Sequence, residues 1–155
     1  MDERGRVLGV DLGTVRVGLA LSDASRTLAS PLCTLEVPPN PGDGPTSPAP
    51  SPAWVSDLAV RLATVAAEHA CDAVVVGLPR ALSGGETATT KLVRQVVDAL
   101  SGHGVRVEVW DERFSSVEAE RVLIGAGRRR NRRRSERDRV AATIILQGWL
   151  DSRAR

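Results

Sequence analysis

The chain has 155 residues, of which 42% are hydrophobic and 26% charged, and its formal net charge is +2. These are ordinary values for a globular protein with a sizeable core, so we expect a single domain over residues 1–155. Neither a run of 18 apolar residues nor a signal-peptide pattern occurs, which argues against a membrane span and against export. The two cysteines, Cys33 and Cys71, lie in apolar contexts without metal-ligand spacing, so reduced thiols in a cytoplasmic protein are expected.

The first third of the chain predicts three strands. Residues 7–10 form a buried apolar run, residues 15–21 alternate like a half-buried strand, and a third strand lies near residues 28–37. Their short connections predict an antiparallel meander. Residues 38–52 follow with seven prolines in fifteen positions, which predicts an exposed surface loop.

The rest of the chain alternates helices with strands. The predicted elements are a helix over 53–70, a strand over 72–79, a helix over 86–100, a strand over 105–110, a helix that opens with Ser115 and Glu118 and stops near Gly125 and Gly127, and a last helix over 136–152. Right-handed crossovers would add the later strands in parallel to the meander. The expected fold is therefore α/β, a five-stranded mixed sheet flanked by helices on both faces.

Arginines are strongly clustered before the last predicted helix. Residues 128–139, RRRNRRRSERDR, contain eight arginines and two acids, a net charge of +6, so the remaining chain carries −4. A solvated arginine loop is the simplest interpretation of this run. Blocks of like charge at this density usually bind a polyanion, however, and a nucleic-acid partner is predicted.

An acid, Asp11, ends the first predicted strand. Burying a carboxylate is costly unless it is paired or binds a metal ion. With Gly13 close behind, Asp11 also fits ordinary turn chemistry, in which the carboxylate accepts backbone N–H groups. A metal-binding role requires further acids nearby.

Two acids, Asp111 and Glu112, end the strand over 105–110. This is the carboxyl edge where open α/β sheets place their sites. Alternation sends the two side chains to opposite faces, so at most one can face Asp11. An acid at the surface that pairs with Arg113 is the alternative.

The last predicted helix supplies Asp138. It shares one helical face with Ala141, Ala142, Ile145 and Trp149, and because that face is apolar, Asp138 is expected to face the sheet. The alternative is a capping box in which Ser135 opens the helix and Asp138 binds backbone donors.

Three acids from these elements would form a hard oxygen-ligand cluster suited to Mg²⁺ or Mn²⁺. Two such ions would offset the repulsion between the carboxylates and clamp the attacking and leaving oxygens of a phosphodiester. The arginine run just before Asp138 would hold the polyanion. The expected activity is therefore a metal-dependent nuclease.

Four segments, GVDLGTVRVGLALSD, VVVGLP, DERFSS and DRVAATIILQGWLD, resemble in order the YqgF family of the ribonuclease H-like superfamily. This family is related to Holliday junction resolvases of the RuvC type. The resemblance implies a ribonuclease H-like fold and a cytoplasmic metal-dependent nuclease with roles in 5′ maturation of pre-16S rRNA and in junction resolution. By motif position it places the family's acids on Asp11, Glu112 and Asp138. The long proline-rich loop and the density of arginines depart from the family pattern.

Several arginines are candidates for contacting nucleic-acid phosphates. They are Arg16, Arg113, Arg128, Arg129, Arg130, Arg132, Arg133 and Arg134. For Arg16 an ordinary ion pair is an equal alternative. A junction-cutting enzyme would be expected to act as a homodimer.

Two other functions fit parts of the sequence. The VDLGT segment also resembles the first phosphate loop of actin-like and Hsp70-type ATPases, but that fold needs two lobes and 155 residues hold only one. A non-catalytic RNA-binding factor of ribosome assembly is the stronger alternative.

Overall fold

The computed structural model describes residues 5–13, 16–36, 52–78, 88–111 and 130–153, and only the backbone of 88–89 and 130–138. The elements are β1 (Arg6–Asp11), β2 (Arg16–Ser22), β3 (Ala29–Glu36), α1 (Pro52–Glu68), β4 (Cys71–Leu78), α2 (Ala88–Ser101), β5 (Arg106–Asp111) and α3 (Arg130–Arg153). Each lies where the sequence predicts an element of that type. The expected helix from Ser115 and the proline-rich segment before Pro52 lie outside the described residues. No helix in the described ranges is long and apolar enough to cross a membrane.

The five strands form one mixed sheet in the order β3-β2-β1-β4-β5. The pairs β1–β2 and β2–β3 are antiparallel, whereas β1–β4 and β4–β5 are parallel. The prediction of an antiparallel meander followed by parallel strands is confirmed. Because β1, β4 and β5 run in the same direction, their carboxyl ends lie at one edge of the sheet, which we call the carboxyl edge.

Alternation along β1 divides the core into two layers. Leu8 and Val10 belong to a cluster formed with α1 and α2, and we call this side of the sheet the α1/α2 face. Val7 belongs to a second cluster, formed with Ala142 and Leu146 of α3, and we call this side the α3 face. Strand β4, flanked by β1 and β5, contributes fully buried valines to both layers, which explains its unbroken apolar sequence. The prediction of helices on both faces is therefore confirmed.

Helix α3 starts earlier than predicted. It begins at Arg130, six residues before the expected start, so Arg130, Arg132, Arg133 and Arg134 lie in its first turns. The prediction of an arginine loop is wrong for these four residues. Arginine has a high helix propensity and no Gly or Pro occurs between residues 128 and 138, so nothing local stops the helix there. Ser135 is then in the helix interior, which rules out the capping box at Ser135 and Asp138.

Candidate active site

Asp11 is the last residue of β1 and lies at the carboxyl edge. It shares its side of the strand with Val7 and Gly9, so its register position is on the α3 face. Its pairing partner in β2 is Gly18, which has no side chain to cover it on that face. Asp11 is half-buried. The described structure therefore places this acid at a strand end beneath α3, as the metal-binding hypothesis requires.

Asp111 ends β5 at the same edge but on the other face. Glu108 and Trp110 lie on the α3 face, since Glu108 contacts Arg153 and Trp110 lies against Gly148 of α3. Asp111 pairs with Leu78, which packs into the layer of α1 and α2. By alternation Asp111 occupies the α1/α2 face, away from Asp11. The choice between Asp111 and Glu112 that the sequence leaves open thus goes against Asp111; Glu112 itself lies outside the described residues.

Helix α3 runs antiparallel to the parallel strands of the sheet. Arg153, at its C-terminal end, forms an ion pair with Glu108 early in β5, while Gly148, one turn earlier, packs on Trp110 late in β5. The N-terminal half of α3 therefore extends toward the carboxyl edge. Asp138 lies one turn before Ala142, on the stripe whose later members Ala142, Ile145 and Trp149 are buried against the sheet.

Strand β1 and helix α3 approach each other closely at Gly9, a residue for which the sequence alone predicts no role. A Cβ atom on Gly9 would lie 2.7 Å from Leu146 Cβ and 3.0 Å from the carbonyl oxygen of Ala142. A side chain at this position would therefore overlap the helix. The signal in the sequence is a glycine in the middle of an apolar strand, a common sign of close backbone approach.

Arg16 begins β2 at the carboxyl edge. Val17 and Leu19 pack into the layer of α1 and α2, so alternation places Arg16 on the α3 face together with Asp11. The arginine predicted to contact substrate thus lies on the same side of the sheet as the acid. Arg113, Arg128 and Arg129 lie outside the described residues.

At the opposite edge of the sheet, Asp23 has a structural role. Its carboxylate accepts hydrogen bonds from the backbone N–H groups of Thr27 (2.8 Å) and Leu28 (3.1 Å) and from the Ser25 hydroxyl (2.8 Å). These bonds lower the pKa of Asp23, because they stabilise the charged form. Asp23 therefore holds the turn between β2 and β3 and is far along the sheet from Asp11.

The three acids expected to form a metal site can be placed only in part. Asp11 is described fully, Asp138 by its backbone position in α3, and Glu112 lies outside the described residues. Within the described ranges, no three His, Cys, Asp or Glu side chains cluster as metal ligands. The joint site of Asp11, Glu112 and Asp138 stays a prediction.

Comparison with known proteins assigns the family. The family model described as "RuvX: Holliday junction resolvase" matches residues 50–152. A protein of Myxococcus xanthus named "Putative pre-16S rRNA nuclease" is 41% identical over 148 residues, covering 95% of this chain and 88% of its own. The chain belongs to the RuvX family. A protein of the same name from a Roseiflexus species is 38% identical over 97% of this chain and 96% of its own length. The resemblance to YqgF proteins is confirmed.

The fold of this RuvX-family chain also matches solved structures. RuvC of Thermus thermophilus in complex with a Holliday junction substrate superposes with a TM-score of 0.58, at 19% identity, and covers 97% of this chain and 96% of RuvC. A second structure of Thermus thermophilus RuvC gives a TM-score of 0.52. At this identity the likeness concerns the fold alone, and it confirms the expected ribonuclease H-like architecture.

Proposed function

We propose that this protein is a divalent-metal-dependent nuclease that hydrolyses phosphodiester bonds in the 5′ processing of pre-16S rRNA. The proposal rests on the position of Asp11 at the carboxyl edge of the sheet. Asp11 lies on the α3 face, and the backbone of α3 carries Asp138 toward the same edge. The names of the relatives from Myxococcus and Roseiflexus support the substrate.

The acids Asp11, Glu112 and Asp138 would hold the metal. If β5 continues its alternation past Asp111, Glu112 would lie on the α3 face, and one turn of helix before Ala142 would bring Asp138 to the same side. Carboxylates at strand ends and on a helix fit Mg²⁺ or Mn²⁺, which take oxygen ligands and keep several waters. When bound, two such ions would supply an activated water and stabilise the charge on the leaving oxygen.

The arginines would hold the nucleic acid over this edge. Arg130, Arg132, Arg133 and Arg134 lie in the first turns of α3, beyond Asp138 in the direction of the carboxyl edge, and Arg16 lies on the same face of the sheet. Arg113, Arg128 and Arg129 flank these segments in sequence. Guanidinium groups bind phosphates bidentately, which would orient the backbone of the substrate relative to the acids.

We place this activity in the cytoplasm. Both cysteines are free, with Cys33 in β3 and Cys71 at the start of β4, as expected of a chain in a reducing compartment.

A Holliday junction resolvase acting on branched DNA is the second candidate, favoured by the description of the family model and by the RuvC-like fold. Such an enzyme would be expected to act as a symmetric homodimer. A non-catalytic RNA-binding assembly factor is the third candidate.

One experiment separates these functions. Purified protein is incubated with a 5′-extended 16S rRNA fragment, single-stranded DNA and a four-way DNA junction, each with Mg²⁺ or with Mn²⁺. The proposal expects metal-dependent cleavage of the RNA extension and an intact junction. Cleavage of the junction alone would establish the resolvase, and tight RNA binding without any cleavage would establish the assembly factor.

A further inference from the structure

We propose that Gly9 is a positioning residue: the absence of a side chain there sets the separation of β1 and α3, and thereby the separation of Asp11 and Asp138. This inference rests on the proposed function, since it concerns the same pair of acids. Gly9 itself has no side chain that could react, and it would contact neither the metal nor the substrate.

The contact at Gly9 leaves no space for a methyl group. The nearest atoms to a Cβ there would be Leu146 Cβ at 2.7 Å, the Ala142 carbonyl oxygen at 3.0 Å and Leu146 Cδ2 at 3.4 Å. The first two belong to the helix backbone or are bonded directly to it, so no rotamer change relieves the overlap. A methyl group at Gly9 must push the helix away from the strand.

The contact also lies directly beside the proposed site. Asp11 is two residues beyond Gly9, about 7 Å along the strand. Asp138 is four residues before Ala142, about 6 Å along the helix. Because α3 runs antiparallel to β1, both steps lead toward the carboxyl edge. A change in spacing at Gly9 is therefore transmitted to the two acids within one helical turn.

Two side chains, those of Gln147 and Arg153, anchor the C-terminal half of α3 to the sheet, so the helix cannot slide along it. The Gln147 side-chain amide donates to the Thr27 carbonyl oxygen (3.0 Å) and accepts from the Ala29 N–H (2.8 Å). Arg153 pairs with Glu108 at the end of the helix. Both anchors lie on the C-terminal side of Ala142. A methyl group at Gly9 would therefore displace the part of the helix that precedes these anchors, with the displacement growing toward Asp138.

The test substitutes Gly9→Ala and uses Gly148→Ala as the matched control. A Cβ at Gly148 also meets a close neighbour across the interface of α3 with the sheet, Trp110 Nε1 at 3.0 Å. This second contact lies in the anchored half of the helix, six residues beyond Ala142. Both variants thus add one methyl group to the same interface, but only the first adds it between β1 and α3, the two elements that carry Asp11 and Asp138.

Mn²⁺ binding to the metal-free protein is measured by calorimetry, with thermal unfolding and RNA affinity in EDTA as further readouts. Gly9→Ala should weaken Mn²⁺ binding by roughly tenfold or more, the size of effect seen when a supporting residue is lost. Its RNA affinity in EDTA should stay within about twofold, and Gly148→Ala should bind Mn²⁺ like the parent. Equal Mn²⁺ affinity in a folded Gly9→Ala protein would overturn the proposal.

Three further variants keep the outcomes distinguishable. If Gly9→Ala is unfolded at the assay temperature, Leu146→Ile, which moves a methyl group onto the helix atom that a Cβ at Gly9 would meet first, is judged by the same criteria. If Asp11→Asn and Asp138→Asn bind Mn²⁺ as well as the parent, the proposed metal site itself is wrong. If those two variants lose Mn²⁺ binding while Gly9→Ala retains it, only the positioning role fails.

Discussion

Asp11 and Asp111 end two parallel strands at the same edge of the sheet but occupy its opposite faces. Asp11 lies on the α3 face, with Val7, whereas Asp111 pairs with Leu78 on the α1/α2 face. The two carboxylates therefore cannot form one site across a single face. Asp111 is therefore excluded from a site on the α3 face, and Glu112, its neighbour in sequence, is the acid that we propose in its place.

The first prediction compares these neighbours. Glu112→Gln should reduce cleavage by orders of magnitude, because it removes a charged metal ligand. Asp111→Asn, the matched control one residue away, should retain cleavage within a few-fold of the parent. Single-turnover cleavage rates of the 5′-extended RNA measure both. Full activity in Glu112→Gln together with loss of activity in Asp111→Asn would mean that Asp111, and not Glu112, supplies the second acid.

The second prediction concerns stability without metal. Asp11→Asn should unfold at the same temperature as the parent in EDTA or at a higher one, because it removes repulsion among the carboxylates. Mg²⁺ at about 100 times its Kd should stabilise the parent by about 2.7 kcal/mol and leave the variant unchanged. Calorimetric melts with and without Mg²⁺ give both quantities. A large loss of stability in EDTA would instead favour a turn-forming role for Asp11.

The third prediction concerns the arginines. Replacing Arg128, Arg129, Arg130, Arg132, Arg133 and Arg134 by glutamine keeps helix propensity and removes charge. If about three of these arginines contact phosphates, the log–log salt slope of RNA binding should fall by roughly three. Arg6→Gln with Arg106→Gln is the control, since both residues begin strands at the opposite edge. Unchanged affinity and slope in the six-residue variant would assign the nucleic acid to another surface, with Arg16 and Arg113 tested next.

The fourth prediction concerns Cys71. Burial raises the pKa of its thiol to about 11, from an ordinary value of 9.0. At pH 8 the folded protein then holds about a hundredfold less thiolate than the unfolded chain, so iodoacetamide should react at least about a hundredfold more slowly. The Cys71 thiol stays protonated to a higher pH in the folded state than in the unfolded chain. Its contribution to the free energy of unfolding is therefore complete below about pH 9 and declines toward pH 11.

Peptide mass spectrometry of a Cys33→Ser variant isolates the reaction of Cys71. Urea-unfolded protein supplies the reference rate at the same pH. An alkylation rate in the folded protein equal to the unfolded rate would contradict the burial of this thiol.

Much of the fold is predictable because the strand and helix periodicities are strong. The alternation in β2 and the apolar run of β4 set the type of each element locally, and the mixed sheet follows from their order. The start of α3 is not predictable from charge alone. Repulsion among the arginines suggests a loop, but their helix propensity and the absence of a breaker extend the helix to Arg130.

The site is predictable by residue type but not by face. Alternation predicts that Asp111 and Glu112 point to opposite faces of the sheet. Only the pairing of β5 with β4 shows that Asp111 lies on the α1/α2 face. The role of Gly9 likewise depends on the approach of a helix more than 130 residues away in sequence, which a local pattern cannot specify.

The central claim, that acids at the carboxyl edge cut the nucleic acid that the arginines hold, is tested most directly with Asp11→Asn and Asp138→Asn. On the same preparations, RNA affinity is measured in EDTA and the single-turnover cleavage rate is measured with saturating Mg²⁺. The account predicts cleavage reduced by orders of magnitude in both variants, with affinity in EDTA within about twofold of the parent. Cleavage at the parent rate in either variant would contradict it.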